Sequence, residues 1–361
     1  MSDTATTDTR DAAALESNVF DTALVLEGGG LRASYTGGIL NVLLEQRIFF
    51  DFVCGISAGS SHSADYLSRD TKRVRGSFVE LAASPRFGGL RTLMRGEGYI
   101  NSSYDYAGCI VDGSMPFDWD TFAANPARMA IQAFERDTGK TVVWTKNVSP
   151  ETDKLVTSAN LVGCVRAGST MPFLMKPIRV DGKMMYDGGL GEGAGLPTHL
   201  AEDQGFRRFV VILSQERGYA KELVSPAKER TLRRVAKNFP FLVDALLTRP
   251  VRYNAALAHL RMLEEEGRAL LIYPDEMPVR NATLDYPRLA ESYEMGHAQG
   301  VRELPRVLDF LFGDGDAGRA AARAAGVLVD PVDEAEAVAA SFPQEAFDAY
   351  QAETKTPELL R

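Results

Sequence analysis

Ser57 lies in Gly55-Ile56-Ser57-Ala58-Gly59, directly after the short apolar run Phe52–Cys54 and before a stretch, Ser60–Leu67, with helical character. Small residues two positions either side of a serine permit the strained strand-to-helix turn that presents its hydroxyl as a nucleophile. In a chain with 32 glycines the pattern alone is weak, and the strand before it and helix after it carry the reading. A second glycine cluster, Gly28-Gly29-Gly30, sits between the apolar run Ala23–Leu26 and residues Tyr35, Ile39, Val42 and Leu43, which recur at helical spacing. Backbone N–H groups at such a turn bind negative charge, either a phosphate or the oxyanion of an acyl-transfer intermediate. Gly28-x-Gly30-x-x-Ala33 also satisfies a dinucleotide fingerprint, with Asp51 as the ribose acid, which makes a non-catalytic dinucleotide-binding module the alternative function. Asp51, however, precedes its strand, whereas a ribose-binding acid sits at the carboxyl end. That end delivers Ser57 instead, beside the glycine cluster.

A serine nucleophile needs a base. None of the four histidines is well presented: His62 lies in the helix after Ser57, and His199, His259 and His297 fall in or beside helical stretches without turn residues. The order Ser…Asp…His stays formally open through His199 or His297. Asp187, in Tyr186-Asp187-Gly188-Gly189, follows the expected hairpin Ile178–Val180 and Lys183–Tyr186, whose Asp181-Gly182 suits a two-residue turn. An acid in that place is commonly a turn residue, but the flanking glycines leave its carboxylate accessible.

In this order and spacing, Glu27-Gly28-Gly29-Gly30-Leu31-Arg32, Gly55-Ile56-Ser57-Ala58-Gly59 and Asp187-Gly188-Gly189 resemble the patatin-like phospholipase family, and Arg166-Ala167-Gly168-Ser169-Thr170-Met171-Pro172-Phe173 is similar to it as well. The resemblance spans roughly Ala23 to Leu213, and the region through Leu311 resembles the bacterial branch with its longer helical C-terminal part. It implies a three-layer α/β/α fold with a central, mostly parallel sheet, a Ser–Asp dyad without histidine, and hydrolysis of phospholipid or lysophospholipid esters with no metal or cofactor. By position, Ser57 is the nucleophile and Asp187 the base; Gly28, Gly29, Gly30 and the Ala58 amide form the oxyanion hole. Arg32 occupies the family's basic position, and Gly55, Gly59, Gly188 and Gly189 support the site. The chain departs from the family pattern at Ala33 and Ser34, where a glycine often follows the basic residue.

The elements that must position these residues read as alternating short strands and helices, an α/β pattern with a largely parallel sheet. Beyond those named, Met129–Phe134, Thr141–Thr145, Phe209–Leu213 and Ala269–Tyr273 read as strands, a helix is expected to include Leu155, Ala159 and Val162, and Pro85–Asp120 reads as loops and short helices. The 361 residues, 45% hydrophobic and 25% charged, suffice for a sizeable core, and a net charge of −9 argues against a nucleic-acid binder. Cys54, Cys109 and Cys164 suggest neither disulfides nor zinc and are expected to be buried. Met1–Phe20 lacks the features of a signal peptide and no apolar run approaches a bilayer span, so a cytoplasmic protein is expected, with peripheral contact at the inner membrane surface. The expected organisation is a flexible segment 1–20, a catalytic domain 21–312 and an acidic, Ala-rich tail 313–361 with helical pattern at Ala317–Ala325 and Glu334–Tyr350. Arg217–Arg252 carries nine Lys or Arg against three acids, mixed with Phe239, Pro240, Phe241, Leu242, Leu246 and Leu247. The segment therefore reads as an ordinary helix with solvated charge or as a surface for anionic headgroups.

Overall fold

The computed structural model describes residues 15–148 and 155–330. Its centre is an eight-stranded mixed sheet: β1 (Thr22–Leu26), β2 (Phe52–Gly55), β3 (Arg128–Glu135), β4 (Thr141–Lys146), β5 (Ile178–Val180), β6 (Lys183–Asp187), β7 (Arg208–Ile212) and β8 (Ala269–Ile272). The order is β5-β6-β3-β2-β1-β7-β8, with β4 paired to β3. β1, β2, β3, β7 and β8 run parallel, and β4, β5 and β6 add antiparallel pairings. Parallel strands buried on both faces read as continuous apolar runs, and β1 is buried at every position.

Helices α1 (Ala33–Glu45), α2 (Ala58–Leu67), α3 (Leu161–Ser169), α4 (Pro226–Val235), α5 (Pro240–Glu265), α6 (Tyr286–Phe312) and α7 (Gly315–Ala324) make the outer layers, with several shorter turns. On one face Leu24, Leu26 and Val53 pack with Ile39, Leu43, Leu304 and Leu308 of α1 and α6. On the other, Ala23, Val25 and Cys54 pack with Tyr253, Leu257 and Leu260 of α5. These two apolar layers make the fold the three-layer α/β/α arrangement; each fully buried Leu or Val contributes about 1.5–3 kcal/mol.

One feature of the sheet positions the site. β4 occupies one edge of β3 along its length, so β2 and β6 share the opposite edge, end to end. Gly55 of β2 faces Ile131, and Asp187 of β6 faces Ala133. Two residues along a strand is about 7 Å, so the turn leaving β2 runs into the last residue of β6.

Three expectations are corrected. The helix after β4 begins at Leu161, not before Leu155: Leu155 bridges to Thr145, and Asn160 receives the Thr157 N–H at 2.8 Å, which turns the chain just ahead of the helix. Val19, inside the segment expected to be flexible, is buried and paired with Phe50. At the other end, Ala322 of α7 and then Val327 enter the main core, so the first part of the acidic tail is packed structure; the helical pattern at Glu334–Tyr350 lies outside the described residues. All three cysteines are buried.

Candidate active site

β2 leads into α2 through a turn whose shape dictates its residues. Ser57 sits at φ 57°, ψ −126°, a backbone strain of about 1–3 kcal/mol for a non-glycine residue. A Cβ on Gly55 would lie 2.0 Å from the Gly59 carbonyl oxygen, and one on Gly59 would lie 2.3 Å from that of Leu26. A side chain at Gly55 would push α2 away from β2, and one at Gly59 would push it away from β1. From behind, Ser169 at the end of α3 donates its hydroxyl to the Ser57 carbonyl at 2.9 Å. The Ser57 hydroxyl donates to Asp187 Oδ2 at 2.6 Å.

Asp187 is buried, its N–H bonded to the Thr170 carbonyl at 2.8 Å and its Oδ1 accepting the Gly189 N–H at 2.7 Å. Burial pushes its carboxyl above the ordinary range, opposed by the Ser57 hydroxyl, the Arg249 charge and the Gly189 N–H. A Cβ on Gly188 would lie 2.3 Å from the Gln132 carbonyl oxygen, so the loop after β6 can lie flat on β3 only with glycine there. The histidines are engaged elsewhere: His62 donates to the Ala33 carbonyl, His199 to Gln132, His259 to Glu202 and His297 to Glu45. Burial lowers the His62 pKa to about 4.

The glycine run requires a correction. Gly28 is not an available donor, because its N–H is bonded to the Gly195 carbonyl at 3.0 Å. Its place is a packing one, since a Cβ there would lie 3.0 Å from Ser57 Cβ. Among the described residues, the N–H groups of Gly29, Gly30 and Ala58 have no backbone or side-chain acceptor. Gly30 takes φ +56°, and the Asn281 carbonyl, 2.5 Å from where its Cβ would be, accepts the Leu31 N–H at 2.9 Å. Arg32 donates to the Asn281 side chain at 2.5 Å and so braces the loop. At the departure from the family pattern, Ser34 bonds both the Leu31 carbonyl and Ser292 of α6. Asp51 lies at the far end of β2 in a two-bond pair with Arg128, away from the glycine loop that the dinucleotide reading would join to it.

The residues that sequence reasoning missed lie on α5 and near it. Arg249 donates to the Gly189 carbonyl at 2.9 Å and faces Asp187. Pro250 follows it and leaves α5 without one helical N–H donor at that turn. Arg252 holds the Leu190 carbonyl at 2.8 Å and also bonds that of Gly191. Tyr253 donates to buried Glu27 Oε1 at 2.7 Å, while Glu27 Oε2 accepts the Ser214 N–H. Lys221 stands 3.3 Å over the Tyr253 ring, and burial lowers its pKa to about 8. The basic segment thus divides: Lys221, Arg249 and Arg252 turn inward, while α4 has no buried residue and keeps its charges in solvent.

Two cavities meet at Ser57. One runs beneath Leu31, Phe78, Ile100, Val165 and Met175. The other lies between the glycine loop and Phe173, Leu246, Arg249 and Asn281. Among the described residues there is no group of three or more metal-ligating side chains, and no helix is long and apolar enough to cross a membrane.

A strained serine turn with a buried carboxylate partner, on a three-layer α/β frame, defines the class: residues 24–201 match the model of the patatin-like phospholipases. Residues 24–201 thus form a patatin-like phospholipase domain. Residues 239–312, which include all of α5 and all of α6, match a second model described as a domain of unknown function, DUF6363. A relative in Escherichia coli (strain K12), the uncharacterized protein YjjU, is 26% identical over 196 residues, 53% of this chain and 51% of its own. The chain therefore spans about half the length of that curated relative. VipD from Legionella pneumophila, a solved structure, is similar at a TM-score of 0.41 and 13% identity, over 78% of this chain and 66% of VipD. At that score the likeness carries no argument beside the topology.

Proposed function

We propose that the protein is a serine acyl hydrolase that cleaves carboxylic esters of phospholipids or lysophospholipids through a Ser57–Asp187 dyad. The observation that carries this reading is the 2.6 Å hydrogen bond from Ser57 Oγ to Asp187 Oδ2 at a strained turn, with every histidine bonded elsewhere. As Ser57 Oγ attacks the ester carbonyl carbon, its proton passes to Asp187 and the carbonyl oxygen becomes the oxyanion. The unbonded N–H groups of Gly29, Gly30 and Ala58 receive that charge. Collapse breaks the bond to the alcohol, which leaves with the proton from Asp187, and Ser57 holds the acyl group as an ester. Water, deprotonated by Asp187, then attacks that ester, and collapse breaks the bond to Ser57 Oγ, which takes the proton back from Asp187 as the acid is freed. A carboxylate is a weak general base, and burial, by raising its pKa, strengthens it. The Arg249 charge favours its ionised form.

The apolar cavity fits the acyl chain and the one beside Arg249 fits the alcohol part, whose phosphate the guanidinium would attract. The exposed cations of α4 suit contact with an anionic membrane surface. A fluorophosphonate should label the wild-type protein at Ser57, and Ser57→Ala and Asp187→Asn should fold yet fail to hydrolyse lysophospholipid. Labelling at another serine, or full activity in either variant, overturns the assignment.

A further inference from the structure

The cavity beneath Leu31 and Phe78 is not uniformly apolar. Asp105 and Tyr106 both line it, carried by a π-helical turn, Tyr104–Gly108, a widened turn found often at functional sites. Asp105 is 8% exposed. Among the described residues, neither of its carboxyl oxygens has a hydrogen-bond partner, and it caps no helix. Arg166, the cation that faces it, gives its own hydrogen bonds to the hydroxyls of Ser102 and Ser103. A second polar point lines the same cavity: Asp65 Oδ2 and Ser77 Oγ are buried and unbonded, while Asp65 Oδ1 is held by Arg73 at 2.9 Å. Buried polar groups without partners are costly and rare in folded proteins. Apart from the charge of Arg166 facing it, the Asp105 carboxyl bonds to no other side chain, so its retention among apolar side chains is explained by a partner that arrives with a ligand.

Resting on the acyl-hydrolase reading of Ser57, we propose that this cavity selects acyl chains bearing an uncharged hydrogen-bonding group, a hydroxyl or comparable oxygen function, which Asp105 receives away from the ester. Burial among apolar side chains raises the Asp105 carboxyl well above its ordinary range and so favours its protonated form, which donates one hydrogen bond and accepts another. A hydroxyl matches both. A chain of methylene groups would leave Asp105 unbonded on binding, as it is without substrate. A site built around such a bond discriminates against the analogue that lacks it more sharply than an apolar pocket does.

The test compares kcat/KM for p-nitrophenyl octanoate with that for its monohydroxylated positional isomers and for the ω-amino analogue, using the full chain. At least one hydroxylated isomer should exceed the plain ester by about tenfold or more. Asp105→Asn, which still donates and accepts, should keep that preference, and Asp105→Leu should erase it, read as the ratio of hydroxylated to plain ester within each variant. No preference among the wild-type isomers overturns the proposal, and so does a preference that survives Asp105→Leu. If the amino analogue is preferred instead, and Asp105→Asn abolishes that preference, the group is an ion-pairing carboxylate and the proposal fails. Should Asp105→Leu not fold, the wild-type ratios decide alone. Failure of the underlying reading looks different: plain octanoate is then hydrolysed equally by wild type and Ser57→Ala.

Discussion

The two regions that meet at Ser57 contribute by opposite means. Residues 24–201 shape the site with backbone: a serine at positive φ, glycines where a Cβ would collide, and N–H groups left without partners. Residues 239–312 add side chains that reach across: Arg249 toward Asp187, Arg252 to the carbonyls of Leu190 and Gly191, Tyr253 to Glu27, and Asn281 under Gly30. Shape is made locally, within a few residues of the nucleophile. Charge balance is made by a helix that follows Asp187 by more than fifty positions, and the second region is part of the site.

The largest effects should come from the first region. Ser57→Ala and Asp187→Asn should each lower kcat toward background, by about 10³-fold or more, with unchanged thermal melting; reactions that act as one unit lose nearly everything with either member. Gly30→Ala should follow. Its φ of +56° and the Asn281 oxygen 2.5 Å from the new Cβ displace a proposed oxyanion donor, and losing one donor costs about 10²–10³-fold in kcat.

Arg249→Gln tests whether the second region supplies charge. Arg249 favours the ionised form of Asp187, and the base must be ionised to work. Activity should therefore rise with pH through the Asp187 pKa, and the variant's acid limb should move to higher pH, with about a tenfold loss at mildly acid pH if the move is about one unit. Arg252→Ala sharpens the contrast. It frees the Leu190 and Gly191 carbonyls without facing Asp187, so it should lower kcat and melting temperature while the acid limb stays in place. An acid limb that moves equally in both would erase the distinction between charge and clamp.

The smallest effect is one of stability. The Asp105 carboxyl is raised well above its ordinary value by burial, so between the unfolded pKa near 4 and the folded one the native state holds a proton the unfolded chain has released. Native stability then falls as pH rises through that window. Asp105→Asn removes this dependence, and its melting temperature should exceed that of wild type by a margin that grows above pH 4, about 2–4 °C for each kcal/mol. A margin constant with pH would mean that Asp105 is ionised in the folded protein.

What the sequence disclosed follows the same division. Gly55, Gly59 and Gly188 are legible because a close backbone approach admits one residue type, and Ser57 is legible because those glycines bracket it. Asp187 became legible only through its glycines and its order after the other motifs, since its meeting with Ser57 depends on β2 and β6 sharing one edge of β3. Gly28 belongs to the same glycine run, and only the Gly195 carbonyl at 3.0 Å separates it from its neighbours as a donor. Arg249 and Arg252 left no local signal: an arginine in a long helix reads as solvated charge until the layer beneath it is known. Asp105 was hidden for a related reason, in a stretch of glycine, proline and aromatic residues without periodicity.

The central position of β1 bears on how the chain is made. Leu24 faces Val53 on one side and Val210 on the other, so its second neighbour leaves the ribosome 186 residues later. At synthesis rates of roughly 5–20 residues per second, that interval is about ten to forty seconds. Until then β1 has an open, apolar edge, of the kind that pairs with the wrong chain. Arg249 emerges later still, after both Ser57 and Asp187. A nascent chain therefore carries the proposed nucleophile and its carboxylate partner well before the cation that faces the carboxylate, and the charges around the proposed site are complete only near the end of synthesis.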